Sequence, residues 1–157
     1  MATMTTIKVT GLRELERKLG PSLIAQPMRN FWNRSTITIQ GAARRKAPVD
    51  FGQLKNEIAT EVDTALLPRW ARVGTNVEHA VFQELGTRPF WPPKAPLEAW
   101  GARKGLSKGQ VFLIRRKIAR VGIKPKLFLT HGTEESLPAI RGYVPVLAAE
   151  IEAQAGK

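Results

Sequence analysis

Two histidines and several carboxylates are the side chains of this sequence that could support metal binding or acid–base chemistry. The candidate set is His79 and His131 with Asp50, Glu78 and Glu84. Glu78 and His79 are adjacent, so on a helix their side chains would point about 100° apart, while His131 lies in an expected loop. No spacing in this set matches a metal-ligand motif. We therefore expect no catalytic residue, no metal and no cofactor, and we interpret the chain as a non-enzyme.

The sequence also contains no motif typical of an enzyme that acts on phosphate groups. Asp50, Glu57 and Glu61 do not form a carboxylate pair with a lysine two residues on, as a nuclease site would. The glycines between residues 101 and 109 lack the following Lys-Ser or Lys-Thr of a phosphate-binding loop. A nuclease is our third hypothesis, after the two that are given below.

Positive charge is the strongest chemical signal. The chain has 25 Lys and Arg against 13 Asp and Glu, a formal charge of +12, which favours an anionic partner. Nine of the cations fall between Trp100 and Lys126, where no acidic residue occurs; this basic stripe comprises Arg103, Lys104, Lys108, Arg115, Arg116, Lys117, Arg120, Lys124 and Lys126. It could contact phosphates of a passing nucleic acid without sequence preference, or dock on an acidic protein surface, which we favour. A solvated helix face is the remaining alternative.

A proline-rich segment carries candidate interface residues. Residues 88–96 contain four prolines together with Phe90 and Trp91, so we expect a surface loop without regular structure. Exposed aromatic side chains often mark a binding surface. We hypothesise that Arg88, Phe90, Trp91 and Lys94 reach a neighbouring subunit; packing back on the chain's own sheet is the alternative.

Length and composition limit the architecture. At 157 residues and 43% hydrophobic, the chain is long enough for one domain with a real core, and we assign residues 1–157 to it. The absence of cysteine excludes disulfides and thiolate chemistry and fits assembly in a reducing cytoplasm. We find no secretion signal and no run of about 18 apolar residues, and so expect no membrane contact.

The first half of the chain shows both helical and strand patterns. Thr6–Thr10 alternates like a strand, and the leucines of Leu12–Leu19 mark a helix. A second helix is expected from Ser22, a plausible N-cap, to a point before Pro48. Leu54–Val62 alternates between apolar and charged residues, which predicts a half-buried strand.

The second half is expected to be mainly helical. An antiparallel return strand should lie near Arg69–Thr75, followed by a helix from Val77 to Leu85. A basic helical segment should span about residues 97–126, with Ser107 as the cap of its longer helix and with one apolar face formed by Val111, Ile114, Ile118 and Val121. A final helical stripe runs from Leu137 to Ile151, with a kink or break expected near residues 141–145 because of Pro145.

Four segments, taken in order, carry a family resemblance. Each segment contains a short characteristic motif, here called a box. The segments are Val9–Leu19, Lys46–Asn56 with its Ala-Pro-Val-Asp motif, Val73–Thr87 with Val-Gly-Thr and Gly-Thr at its ends, and Gly122–Leu129. The order makes the resemblance specific, since each box alone would be weak. The sequence resembles the tail-component, or tail-completion, family of long-tailed lambdoid bacteriophages over roughly residues 7–150.

The resemblance implies an α+β fold with a small antiparallel β-sheet packed by helices. It also implies a structural virion protein that forms a ring, a hexamer, at the head–tail junction, as a tail-completion or connector protein through which DNA passes. Its partners would be copies of itself and the adjacent neck and tail-tube proteins, with possible non-specific DNA contact. Its location would be the virion, after assembly in the host bacterial cytoplasm. The alternative is a stand-alone basic nucleic-acid-binding protein.

Two of the boxes have structural explanations of their own. Pro48 and Gly52 flank Asp50, which predicts a tight connection in which the carboxylate accepts backbone hydrogen bonds. Gly86 and Thr87 should end a helix and lead into the proline-rich loop. We interpret all five as turn residues with structural roles.

Overall fold

The computed structural model describes residues 3–6, 17, 19–50 and 52–155. It is mostly helical with a small antiparallel sheet, in agreement with the expected α+β class. The strands of the described part are β1 (Thr3–Thr6), β2 (Ala59–Val62) and β3 (Ala71–Thr75). The helices of that part are α1 (Pro21–Lys46), α2 (Gln53–Asn56), α3 (Ala80–Leu85), α4 (Lys94–Arg103), α5 (Lys108–Val121) and α6 (Phe128–Ala155).

Helix α1 confirms the expected long helix but begins slightly earlier. Gly20, with φ 78°, is its N-cap and Pro21 is its first residue, so the expected cap at Ser22 is wrong. Proline suits this position because its missing N–H would have no partner in the first helical turn. The helix ends at Lys46, and Ala47 is extended because the residue before Pro48 is excluded from the helical region.

The β-branched residues in the middle of α1 do not interrupt it. The hydroxyl of Thr36 donates to the carbonyl oxygen of Trp32 at 3.0 Å, and that of Thr38 donates to Arg34 at 2.8 Å. Thr36 and Ile39 are buried. Burial in the core therefore outweighs the rotamer entropy that such residues lose in a helix.

The core lies mainly between α1 and α6. Trp32 is fully buried and its indole nitrogen donates to the carbonyl oxygen of Pro68 at 3.1 Å. Each large side chain buried here contributes about 1.5–3 kcal/mol to folding. The larger members of the cluster are Ile24, Met28, Phe31, Trp32, Ile39, Leu54, Ile58, Val73, Phe128, Leu129, Ile140 and Ile151.

Two sets of ion pairs show that α1 and α6 run in opposite directions. At the end of α1, Arg45 and Lys46 each lie 2.7 Å from carboxylate oxygens of Glu135, near the start of α6. In the middle of α1, Arg34 pairs at 3.0 Å with Glu150, near the end of α6. These pairs are partly exposed and each contributes at most about 1 kcal/mol, so they define the register more than the stability.

Helix α6 is longer and more regular than the sequence indicated. It begins at Phe128, well before Leu137, and continues through Pro138 and Pro145, so the expected break near residues 141–145 is wrong. The two prolines are seven residues apart and both are exposed, which places them on the outer face. The inner face keeps its buried stripe against α1, and this packing holds the backbone helical through the prolines.

The sheet has the order β1-β3-β2, with both pairs antiparallel. The return strand expected near Arg69–Thr75 is confirmed as β3, and β1 pairs with it through Thr3–Thr6. Of the strand expected at Thr6–Thr10, residues 7–10 lie outside the described part, as does most of the helix expected over Leu12–Leu19.

The strand expected over Leu54–Val62 is wrong in its first half. Residues 53–56 form α2, and the strand begins only at Ala59. Leu54 and Ile58 are both buried. Their spacing of four residues fits one face of a helix as well as the alternation of a strand. Gly52, with φ 81°, allows the chain to turn into this short helix.

Helices α4 and α5 form a hairpin, here called the arm, whose most extensive contacts are between its own two helices. Ser107 caps α5, as expected, by accepting the backbone N–H of Gln110. The side chain of Gln110 accepts the backbone N–H of Ser107 in return, which completes a capping box. A β-carbon at Gly101 would collide with Val111, so the two helices cross closely. The proline-rich loop is shorter than residues 88–96, because α4 already begins at Lys94 and proline is tolerated in a first helical turn.

The closest approach of α1 and α6 gives the first prediction. A β-carbon at Gly132 would lie 2.7 Å from the backbone nitrogen of Ala43, whereas one at Gly142 of the same helix would meet nothing within 4 Å. Gly132→Ala should lower the free energy of unfolding by about 1–3 kcal/mol through overpacking. Gly142→Ala should raise it by about 0.5–1 kcal/mol through helix propensity. Urea denaturation of both variants tests this, and equal effects would contradict the helix crossing.

Candidate functional site

The basic stripe is distributed over the arm and the connection that follows it. Arg103 ends α4, Lys104 lies in the turn between the helices, and Lys124 and Lys126 lie between α5 and α6. The other five members lie on α5: Lys108, Arg115, Arg116, Lys117 and Arg120. All nine are exposed except Arg115, which is partly buried.

Two members of the stripe are held by Asp50. A carboxylate oxygen of Asp50 accepts a hydrogen bond from Arg103 at 2.6 Å, and Lys104 lies 3.8 Å from the other oxygen. The bond from Arg103, together with the charges of both cations, lowers the pKa of Asp50 below its ordinary value of 3.8. Asp50 therefore tethers the segment after α1 to the arm, a contact that the sequence did not indicate.

A third member is held by the proline-rich loop. Arg115 donates to the carbonyl oxygen of Pro92 at 2.8 Å, and its guanidinium lies 4.7 Å from the ring centre of Trp91. Phe90 and Trp91 nevertheless remain 40% and 54% exposed. Trp91 is thus placed beside α5 with part of its ring exposed to solvent. The other two candidate interface residues are Arg88, which is exposed, and Lys94, which lies 3.8 Å from Glu98.

Three of the other four cations of α5 surround an open, mostly apolar depression of about 400 Å³. Its lining, here called the basic face, consists of Leu113, Arg116, Lys117, Arg120 and Val121. Leu113 and Val121 are 61% and 57% exposed. The apolar face expected for this helix is therefore wrong at Val121. Val111 is buried, because it packs on Gly101 of α4 rather than on the core.

The arm is joined to the body where α3 and α5 end. Gly86, with φ 74°, ends α3 as expected, and a β-carbon there would collide with the carbonyl oxygen of Ile123. Thr87 donates its N–H to that oxygen at 2.9 Å, and its hydroxyl accepts from the N–H of Ile123 at 3.0 Å. A β-carbon at Gly122 would collide with the backbone of Thr87. Gly86 and Gly122 therefore let the backbone after α3 and the backbone after α5 come into direct contact, which a side chain at either position would prevent.

Glu84 is a structural residue whose role the sequence did not reveal. Its buried carboxylate accepts the N–H groups of Leu129 and Thr130 at 2.9 and 3.0 Å, and the hydroxyl of Thr130 at 2.7 Å. These N–H groups belong to the first turn of α6, where a negative charge is favoured. Glu84 belongs to the candidate metal-binding set of the sequence, but its carboxylate is occupied by these donors. Its partners lie 45 residues away, so no local pattern indicates the cap.

The two histidines are placed in separate, exposed settings. His79 precedes α3, so the expectation that this helix begins at Val77 is wrong. His131 lies in α6 and not in the expected loop, and its Nδ1 atom is 3.1 Å from a carboxylate oxygen of Glu134 in the same helix. Within the described residues, no three histidine or acidic side chains lie close enough together to hold a metal ion. No described helix combines the length and apolar character that a membrane crossing requires.

Comparisons with known proteins identify no relative: no family model, no curated protein and no solved structure matches the chain.

The tether at Asp50 gives a prediction about pH. Because the pKa of Asp50 is lowered in the folded chain, the tether contributes fully above the unfolded pKa and is lost as pH falls through the lower, folded value. In Arg103→Gln the pKa of Asp50 should rise toward 3.8. Carbon NMR of the carboxyl groups measures it, with Arg141→Gln as the control. An unchanged Asp50 titration in Arg103→Gln would contradict the tether.

The cap formed by Glu84 gives a third prediction. Glu84→Ala leaves two N–H groups at the start of α6 without acceptors and should lower the free energy of unfolding by about 2–4 kcal/mol. Glu152→Ala removes an exposed carboxylate from the same helix and should change it by less than about 0.5 kcal/mol. Chemical denaturation compares the two, and similar losses would show that α6 does not depend on this cap.

Proposed function

We propose that this chain is a structural subunit of a tailed bacteriophage virion, which forms a ring at the head–tail junction through which DNA passes. The proposal starts from the four ordered boxes, which resemble those of the tail-completion family. A role as tail-completion or connector protein requires surfaces that fit copies of the chain and adjacent rings. No bond-making or bond-breaking step is part of this role.

The observation that carries the proposal is the exposed apolar surface of the arm. Phe112, Leu113 and Val121 on α5 are each more than half exposed, and the ring of Trp91, which is also more than half exposed, lies beside this helix. Clustered large apolar side chains on a soluble chain commonly mark a protein interface. Because the arm packs mainly on itself, these side chains are available to a neighbouring subunit.

The family-like boxes coincide with the places that fix the arm. The box around Asp50 supplies the tether to Arg103, and the Gly86-Thr87 box makes the close contact with Ile123. In the proposed ring these contacts give the arm a defined direction relative to the two long helices. A symmetric assembly needs such a fixed direction, because it sets the diameter at which the ring closes.

A stand-alone nucleic-acid-binding protein is the second candidate. The exposed cations Arg116, Lys117 and Arg120 favour it, since they could contact phosphates without sequence preference. The apolar floor between them distinguishes the candidates: Leu113 and Val121 offer nothing to a phosphate backbone but suit a protein partner. We therefore give the ring precedence, with DNA contact as a secondary property of the same subunit.

Purified full-length protein should form discrete rings, with hexamers as the expected species. Replacing Phe112 and Leu113 by serine should shift the population to single subunits without lowering thermal stability, because both side chains are exposed. The control replaces Ile37 and Val144, which are similarly exposed on α1 and α6. Sedimentation velocity and negative-stain electron microscopy measure the assembly state.

Three outcomes of this experiment would contradict the proposal. A wild-type chain that remains a single subunit at every concentration and shifts duplex DNA would favour the nucleic-acid-binding protein. Metal-dependent cleavage of DNA by the wild type would favour a nuclease. Equal loss of assembly in the control variant would show that the arm has no special role.

A further inference from the structure

A second exposed surface of the chain combines apolar side chains with negative charge. Phe82 and Leu85 on α3 are 54% and 65% exposed, and the exposed Glu78 lies in the turn two residues before this helix begins. Glu78 also lines an open depression of about 420 Å³ together with Glu57, which follows α2. We call Glu57, Glu78, Phe82 and Leu85 the acidic face.

The carboxylates of this face differ from most others of the chain. Asp50, Glu84 and Glu135 are engaged by cations or by backbone N–H groups. Within the residues that the structure describes, Glu57 and Glu78 form no ion pair. The same is true, in that part of the chain, of the three cations on the basic face. Each face therefore carries charges that its own subunit leaves without a counter-charge.

We propose that the basic face of one copy docks on the acidic face of the next copy, and that this contact, repeated, closes the ring. The inference rests on the proposed function and adds the identity of the two surfaces that meet. Leu113 and Val121 would pack on Phe82 and Leu85, while the three cations of α5 would oppose Glu57 and Glu78. Contact between two unlike faces of identical subunits generates rings or filaments rather than a simple two-fold dimer.

The net charge of the chain favours this arrangement over other forms of self-association. At +12 per subunit, copies repel each other unless cations are placed against carboxylates. Such opposition aligns the partners, and the apolar centres of the two faces supply burial that charge pairs alone do not. The acidic and basic faces provide both features on one chain.

Reciprocal charge reversal in the full-length protein tests the docking. One variant carries Arg116→Glu and Arg120→Glu, and the other carries Glu57→Lys and Glu78→Lys. Each variant alone should associate at least about tenfold more weakly than the wild type, since close charge pairs at interfaces couple by about 1.5 kcal/mol or more. An equimolar mixture should restore ring assembly, because the reversed basic face of one variant matches the reversed acidic face of the other.

The control reverses two exposed cations on other elements, Arg17→Glu with Arg141→Glu, and should assemble as the wild type does. Circular dichroism of each variant verifies folding, and sedimentation velocity measures assembly. Restored assembly in the mixture supports the docking, since no other property of the two variants is complementary.

Failure of the mixture to assemble, or normal assembly of either variant alone, overturns the docking while wild-type rings would still support the proposed function. If the arginine variant assembles normally but loses binding to duplex DNA, α5 is a nucleic-acid surface and the docking is wrong. If the wild type forms no ring, the proposed function fails, and the inference fails with it.

Discussion

The packing of α1 against α6 determines where the other elements of the structure lie. Gly132 allows the two helices to approach until a side chain would touch the backbone at Ala43. The start of α6 is fixed by the carboxylate of Glu84, and this bond also places α3 against the helix pair. From the end of α3 the chain continues through Gly86 and Thr87 to the close contact with Ile123, and so to the arm.

Among the described residues, charged side chains are mostly paired in one part of the molecule and unpaired in another. In the body, cations and carboxylates largely pair with each other, as Arg45 and Lys46 do with Glu135. On α5 and around α3, charges of opposite sign remain exposed on separate faces, each beside large apolar side chains. In the ring that we propose, the charge pairs that oppose the net repulsion of this basic chain form between subunits.

Part of this structure could be predicted from the sequence. The spacing of apolar residues predicted α1, Ser107 as an N-cap predicted the start of α5, and the turn before Arg69 predicted the return strand β3, because these signals are local. The errors have non-local causes. Residues 53–56 form a helix and not a strand, because this places both Leu54 and Ile58 in the core. Helix α6 continues through Pro145 because its opposite side packs on α1. The pairing of the basic stripe also has a non-local cause. Asp50 and Pro92, which are distant in sequence, engage three of its nine cations.

The central claim is that this chain works by fitting against copies of itself through the arm. Zero-length crosslinking of assembled protein, prepared from a mixture of normal and ¹⁵N-labelled subunits, tests it most directly by mass spectrometry. The account predicts crosslinks between Lys117 and Glu57 or Glu78 in which one peptide is labelled and the other is not. Crosslinks confined to peptides of the same isotope composition would mean that these side chains meet within a subunit or not at all, and would contradict the account.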